Sequence, residues 1–254
     1  MMMQDITGLR PAHLPTQGVH LSATHLLGIE IELEGVQNLA SAMRHMTLWH
    51  STDDGSLRDN GREFILAAPL SGRELETAID QFYHAANFNS SSTWTASHRC
   101  GIHVHSDVRD LTTTQYGVLL ALSVLIDKHF FLHYDSAWRE GINFCRPVHS
   151  DNRTIMLAKR LITDDHFSEV AIGAAEYCKY MSLNMCRVND LGSLEYRHFC
   201  SSLSKEQLIN LCSDIQHLKE FACLPTPADA LAAFRNRWPD IKLKPYQLKL
   251  LGVV

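Results

Sequence analysis

The stretch GIEIELE, residues 28–34, shows the clearest pattern of secondary structure in the chain. Aliphatic residues alternate strictly with Glu30, Glu32 and Glu34, and a period of two residues is typical of a β-strand. One face of this strand is therefore apolar, and the other carries carboxylates spaced about 6.5–7 Å apart. Like charges in a row repel each other, and burial would raise their pKa values. Divalent cations resolve this conflict because they bind converging carboxylate oxygens; the alternative is an edge strand with a solvated acidic face.

A second strand, predicted at residues 100–106, repeats the alternation with imidazoles. Its aliphatic residues face the core, so His103 and His105 share the opposite face, which is a familiar geometry for metal ligands. Because the chain contains 15 histidines, one such pair could also arise by chance. Gly101, directly before the pair, permits the close approach of another backbone or a ligand.

A third strand, predicted at residues 192–199, places Glu195 and Arg197 on the face opposite Leu194 and Tyr196. Alone, this pattern indicates a surface ion pair. The same design in three strands indicates one site, with carboxylates and imidazole for metal ions and a guanidinium for phosphate.

The other predicted elements indicate an α+β fold. Further strands are predicted within 47–59, 62–67 and 179–186, with turns at 53–55 and 189–190, and helices at 72–87, 116–134, 152–162, 167–177 and 205–222. Residues 112–114 are expected to cap the long helix. Because strands and helices lack regular βαβ spacing, we expect a mostly antiparallel sheet with helices packed on one face.

The length suits one large domain or two small ones, and we expect a single domain over 1–254, with an N-terminal arm at 1–24 and a C-terminal extension at 223–254. Apolar residues make up 45% of the chain, which predicts a sizeable core. The net charge of −5 disfavours nucleic-acid binding. Residues 116–134 approach the length of a membrane span, but charged and polar residues interrupt them, so we expect a buried core helix and no membrane contact. Seven scattered cysteines and the absence of a leader pattern favour a cytoplasmic protein with reduced thiols.

Four motifs follow one another in a specific order. They are GIEIE at 28–32, Trp49 and DGS at 54–56 with a following Glu63, GIHVH at 101–105, and SLEYR at 193–197. In this order they resemble the amidoligase family, which is related to glutamine synthetase and glutamate–cysteine ligase. The resemblance covers roughly residues 26–218. One departure is Cys200-Ser201-Ser202, where the family often has a Gly-Thr pair.

The resemblance implies a glutamine synthetase-like sheet, curved around a site for ATP and two or three Mg²⁺ or Mn²⁺ ions. The metal ligands implied by position are Glu30, Glu32, Glu63, His103 and Glu195. Nucleotide or phosphate contacts are implied for Arg197, Arg139, Lys179 and His105, although His105 could instead lie behind the ligands. Arg99 is expected to be an ordinary surface charge.

The implied reaction is ATP-dependent amide formation between a carboxylate and an amine through an acyl phosphate. Asp53 or Asp54 is the candidate base, and the family's DGS turn favours Asp54; the alternative is a residue that only shapes the turn. Expected substrates are small-molecule or peptide carboxylates and amines, and the oligomeric state stays open. Two rival hypotheses are a zinc hydrolase or structural zinc protein using His103 and His105, and a non-catalytic nucleotide-binding relative. Four glutamates with one histidine favour Mg²⁺ over Zn²⁺.

Overall fold

A computed structural model describes residues 1–8, 21–88, 94–134, 136–140, 142–143, 145–163 and 178–248. The helix expected at 167–177 lies outside these residues, as do 9–20 of the expected arm and 249–254 of the expected extension. The described residues form an α+β fold with a six-stranded antiparallel sheet and helices. The expected fold class is confirmed at this level.

The sheet places two of the three motif-bearing strands at its centre. Its strands are β1 (Leu27–Leu33), β2 (Trp49–Asp53), β3 (Arg62–Leu66), β4 (Gly101–Asp107), β5 (Leu183–Asn184) and β6 (Ser193–Cys200). They lie in the order β2-β3-β1-β4-β6-β5, and every neighbouring pair is antiparallel. The central strands β1 and β4 therefore have partners on both sides, and β6 follows β4.

Side-chain caps at Thr112, Ser204 and Thr226 start three of the helices that the structure describes. The described helices are nine in number. They are α1 (Met3–Thr7), α2 (Leu39–Met43), α3 (Gly72–Phe88), α4 (Thr113–His133), α5 (Asn152–Thr163), α6 (Arg187–Leu191), α7 (Lys205–Ala222), α8 (Pro227–Arg237) and α9 (Pro245–Leu248). Short 3₁₀ turns occupy Ala137–Arg139 and Val148–Ser150. Thr112 and Ser204 each form a capping box, at α4 and α7 respectively, which satisfies free backbone N–H groups at the start of each helix. The predicted cap of the long helix is confirmed.

Helix α4 is the central helix of the core. It is long and apolar enough to cross a membrane, but 78% of its most apolar window is buried inside the fold. It packs against α5 and α7 and reaches the sheet at β6, where the Ser123 hydroxyl lies 2.8 Å from that of Tyr196. An apolar surface on all sides is expected of a helix surrounded by other elements.

The alternation predicted for the sheet is confirmed. Ile29 and Ile31 of β1 and Ile102 and Val104 of β4 are buried on the face that packs against the helices. The glutamates and histidines between them lie on the other face, because successive side chains of a strand point to opposite sides. The helices therefore support the sheet from one side and leave the other for the candidate site.

Three predicted elements differ from the structure. The strand expected at 179–186 is limited to Leu183–Asn184, because the preceding residues pair with another loop through a bridge between Arg146 and Met181. The turn expected at 189–190 lies within helix α6. The expected N-terminal arm includes helix α1, whose Met3 backbone N–H donates to the Leu111 carbonyl at 2.7 Å. In the first and third of these elements, long-range contacts outweigh the local pattern.

Candidate active site

The strand register brings the five predicted metal ligands together on one face. Glu32 of β1 lies directly opposite Glu63 of β3, and Glu30 lies opposite His103 of β4. Further along β4, His105 lies opposite Glu195 of β6. Directly opposed residues point to the same side of a sheet. Residues far apart in the sequence thus form one polar surface.

Three overlapping groups on this surface could each hold a metal ion. They are Glu30, His105 and Glu195; Glu30, Glu63 and His103; and Glu32, Asp54 and Glu63. Within each group, one ligand atom from every residue lies within 4.8 Å of the others. Glu30 and Glu63 each belong to two groups. His103 and His105 belong to different groups, and none of the groups found among the described residues includes a cysteine.

Glu30 lies between the two histidines. Its two oxygens are each 3.1 Å from an imidazole nitrogen, Nδ1 of His103 and Nε2 of His105. Burial alone would raise the pKa of Glu30, but hydrogen bonds and attraction from both rings outweigh it and lower the pKa well below its usual range. Glu30 is therefore an anion over the ordinary pH range, ready to bind a cation.

The repulsion between carboxylates that the sequence predicts raises the pKa of Glu63. Burial and the negative charges of Glu30 and Glu32 raise its pKa from 4.5 to about 8. When protonated, Glu63 donates a hydrogen bond to Glu30, which favours the neutral form further. At neutral pH the metal-free site therefore holds a proton where a cation would otherwise balance the charges.

Gly101 lies in close contact with Arg139 and Glu32. Its backbone N–H donates to Oε2 of Glu32 at 2.6 Å. A Cβ at this position would lie 2.8 Å from Nη2 of Arg139 and 3.3 Å from Oε2 of Glu32. Any larger residue would displace the guanidinium. The close approach predicted for this glycine is confirmed.

Glu195 is almost completely buried, with both of its oxygens engaged. Oε2 accepts a hydrogen bond from Asn184 and Oε1 accepts one from Arg197, each at 2.5 Å, while Nδ1 of His103 lies 3.5 Å from Oε1. Burial raises the pKa of Glu195, but His103, Arg197 and His105 outweigh it, so the net pKa is lowered. The structure thus pairs Arg197 with Glu195, but the pair is largely buried and is not the surface ion pair that the sequence offered as an alternative.

The two aspartates of the β2 turn point to different places. Asp53 pairs with Arg62 at 2.7 Å, and its side chain is 84% exposed. It lies opposite Arg62 in the register, on the other face from the glutamates, so the structure does not bring it to the site. Asp54 joins Glu32 and Glu63 in one of the metal-binding groups. Its Oδ1 also accepts the Ser56 N–H at 2.7 Å, so Asp54 shapes the turn as well.

Three arginines lie around a small recess at the Glu32 end of the site. The recess measures about 40 Å³ and is lined by Glu32, Ser56, Arg99, His103, Arg139 and Arg197. Arg139 is 2% exposed, and its Nη1 donates to the Cys100 carbonyl at 2.7 Å. Nε of both Arg139 and Arg197 is buried without a hydrogen-bond partner among the described residues. Such donors could bind the oxygens of an anion.

Two cations behave differently from the expectation. Arg99, expected to be an ordinary surface charge, lines the arginine recess. Lys179, an expected nucleotide contact, is exposed and lies over the ring of Tyr180, 5.6 Å from its centroid. Arg99 lies in a turn, where no periodic pattern indicates the direction of a side chain, and Lys179 lies in a 3₁₀ turn at 178–180 in place of the start of the predicted strand.

A larger pocket of about 420 Å³ adjoins the other end of the site. Gly28, Glu30 and His105 form its inner edge, and apolar residues including Ile65, Ala67, Pro69 and Leu191 line much of the rest. Leu191 is 51% exposed. Nδ1 of His105 lies 3.0 Å from the Ser193 hydroxyl, which orients the ring between this pocket and Glu30. The structure is therefore compatible with His105 as a ligand and as a nucleotide contact.

Glu34 and Asn184 support the site without joining a metal-binding group. Oε1 of Glu34 accepts the Arg58 N–H at 2.8 Å, which holds the segment after the β2 turn against β1. Asn184 holds Glu195. The sequence placed Glu34 in the acidic row, but its partner and the role of Asn184 depend on the tertiary structure.

Sequence comparison adds no identification. The chain matches no protein-family model and no curated protein. The resemblance to amidoligases therefore depends on the four motifs alone. Conclusions about function must come from the geometry of the site.

Proposed function

We propose that this protein is an ATP- and Mg²⁺-dependent carboxylate–amine ligase of the amidoligase type. One observation carries the proposal: three overlapping carboxylate groups, two of which include an imidazole, share residues with a recess that contains three arginines and with a pocket of about 420 Å³. Phosphoryl transfer needs divalent cations, positive groups around the transferred phosphate and room for a nucleoside. The glutamine synthetase-like form of the fold belongs to this proposal.

The donor set fits Mg²⁺ or Mn²⁺ better than Zn²⁺. Each group offers at least two carboxylates and at most one imidazole, and hard cations prefer oxygen ligands. A zinc site would be expected to gather nitrogen or sulfur ligands around one ion, whereas His103 and His105 lie in separate groups. Glu30, Glu32, Glu63, His103 and Glu195 would hold the ions, which would neutralise phosphate charge during transfer.

The arginine recess suits the transferred phosphoryl group. A carboxylate oxygen of the substrate attacks the γ-phosphorus of ATP and ADP leaves, which gives an acyl phosphate. The buried guanidinium groups of Arg197 and Arg139 would bind the phosphoryl oxygens, with Arg99 at the edge. Preorganised donors in a water-poor site stabilise charge that develops in the transition state.

The amine step needs a proton acceptor beside the recess. The amine nitrogen attacks the acyl carbon, phosphate leaves, and the nitrogen loses a proton. Asp54 lies within reach of Glu32 and Glu63 and is partly exposed, so it is our candidate base. Asp53 is not proposed, because it points away from the site.

The apolar pocket suits the nucleoside part of ATP. It adjoins Glu30 and His105, so a nucleoside bound there would direct its phosphates along the metal-binding groups towards the arginines. Packing of a planar base against Leu191 would remove a half-exposed apolar side chain from water.

The decisive experiment measures phosphate release from ATP across a panel of carboxylates and amines, with Mg²⁺, Mn²⁺ or Zn²⁺. We expect turnover with Mg²⁺ or Mn²⁺ that requires both substrates, and none in Glu30→Gln. Glu34→Gln is the matched control, because it lies in the same row and its amide oxygen can still accept the Arg58 N–H. Equal loss of turnover in both variants would contradict the metal assignment. Tight stoichiometric zinc with no turnover would favour the zinc hypothesis.

A further inference from the structure

Asp127 is a buried charge on the opposite side of the sheet from the candidate site. It lies on α4 and is completely buried. Its Oδ1 accepts hydrogen bonds from Nε2 of His198 at 2.6 Å and from the Ser182 hydroxyl at 2.5 Å. Its Oδ2 accepts from His149, through Nδ1 at 2.6 Å and the backbone N–H at 3.1 Å. Burying a carboxylate is costly, and a well-packed apolar residue is often as stable in such a place.

His198 connects Asp127 to a β-bulge in β6. Ile102 of β4 pairs with Phe199, and Val104 pairs with Tyr196, so β6 has one extra residue between these pairs. Arg197 and His198 together face His103. The bulge turns His198 towards α4 while Arg197 lines the arginine recess on the other side. Bulges commonly redirect side chains in this way beside active sites.

Ser182 connects Asp127 to the same region by a second route. The Ser182 carbonyl accepts the backbone N–H of Arg197 at 2.8 Å, so it binds the bulge directly. Two residues later, Asn184 lies opposite Glu195 in the register and donates to its Oε2. Asp127 therefore holds both the bulge that presents Arg197 and the strand that holds Glu195.

We infer that Asp127 is a positioning residue for the site, which acts through His198 and Ser182 on Arg197 and Glu195. The inference rests on the proposed function for the roles of those two side chains. Asp127 itself lies beneath the sheet and contacts neither a metal nor a substrate. A carboxylate held by four donors from three segments fixes their relative positions more tightly than apolar packing, which is non-directional.

The test compares Asp127→Asn and His198→Phe with Asp214→Asn. The phenylalanine keeps an aromatic ring against Phe131 and Phe199 but removes the hydrogen-bond donor. Asp214 is the matched control, because it is also a buried aspartate on a helix, hydrogen-bonded to Tyr134 and Arg237 at 2.7 and 2.9 Å. Ser182→Ala is added in case the other variants fail to fold.

Two readouts follow in folded protein. The first is the imidazole NMR signal of His103 without metal, and the second is the affinity for Mn²⁺. We expect the chemical shift of the His103 signal to change. The Mn²⁺ affinity should fall by about 10–100-fold, as is typical when a residue that supports a metal ligand from outside the metal's own shell is removed. Asp214→Asn should change neither, even if it lowers the melting temperature as much.

The outcomes separate this inference from the proposed function. Unchanged Mn²⁺ affinity and an unchanged His103 signal in folded Asp127→Asn and His198→Phe would overturn the positioning role. Equal effects in Asp214→Asn would also overturn it, since they would show only general destabilisation. If wild-type protein bound no Mn²⁺, the proposed metal site would be wrong, and the His103 signal alone would decide the positioning role.

Discussion

Replacing Glu63 with glutamine tests the electrostatics of the metal-free site. The folded protein holds a proton on Glu63 up to a pH of about 8, whereas the unfolded chain releases it near 4.5. Between these values the folded state binds more protons than the unfolded state, so Glu63 makes the protein less stable as the pH rises. Glutamine is neutral at every pH and can still donate a hydrogen bond to Glu30. The variant should therefore lose this part of the pH dependence.

The size of the effect follows from the pKa. At about 1.4 kcal/mol for each pH unit, the interval from 4.5 to about 8 corresponds to at most about 5 kcal/mol. Glu63 is only partly buried, and solvent screening weakens such interactions. We therefore expect glutamine to stabilise the protein by roughly 1–2 kcal/mol at about pH 8, or about 2–8 °C in melting temperature, and by almost nothing at about pH 5.

The assay is denaturant unfolding of wild type, Glu63→Gln and Glu74→Gln in the presence of a chelator at several pH values. Glu74 is an exposed glutamate in the first turn of α3 and serves as the control. The stability gained by Glu63→Gln over wild type should grow with pH and level off above about 8. Glu74→Gln should show no such gain, because a negative charge in the first turn of a helix interacts favourably with the helix dipole. A flat difference for Glu63→Gln would contradict the raised pKa of Glu63. Metal binding at neutral pH should also release a proton from wild type but not from Glu63→Gln, as calorimetry in two buffers would show.

Three further predictions concern individual roles in the site. His103→Ala should weaken Mn²⁺ binding more than His105→Ala, because His103 is one of the five proposed ligands, whereas His105 is not and lines the larger pocket. Calorimetry would measure both, and equal losses would revive the zinc hypothesis. Arg197→Lys should keep nucleotide affinity but slow turnover by on the order of 10²-fold, because lysine lacks the planar guanidinium that binds two phosphate oxygens at once. Near-normal turnover would mean that Arg197 only forms an ion pair with Glu195. Asp54→Asn should slow the amine step, which is measured as turnover at saturating ATP, whereas Asp53→Asn should leave it unchanged. Equal effects of the two variants would contradict the assignment of Asp54 as the base.

The central part of the sheet was predictable because burial imposes a simple period. Helices cover one face of β1 and β4, so every second residue must be apolar. The residues between them are free to carry chemistry. Glu30, Glu32, His103 and His105 therefore stand out in the sequence, and the cross-strand register then brings them together.

The loops around the site were less predictable, because their direction depends on contacts with distant residues. The backbone of Thr95 pairs with Glu34 at the end of β1, which brings the segment before β4 beside the site. Arg99 enters the recess on this segment, although nothing in its neighbourhood distinguishes it from a surface charge. Lys179 lay in a predicted strand, but a bridge to Arg146 replaces most of that strand, and Lys179 stays exposed.

The bulge in β6 shows why alternation alone cannot give the complete site. Strict alternation from Glu195 would place Arg197 and Phe199 on the same face. Phe199 instead pairs with Ile102 in the core, because the extra residue resets the phase of the strand. His198 then points towards α4 and finds Asp127. In the sequence, Asp127 is a charged residue within a mostly apolar helix, and no local pattern explains it. The tertiary structure does, because Asp127 binds His198 and so holds β6 in its bulged form.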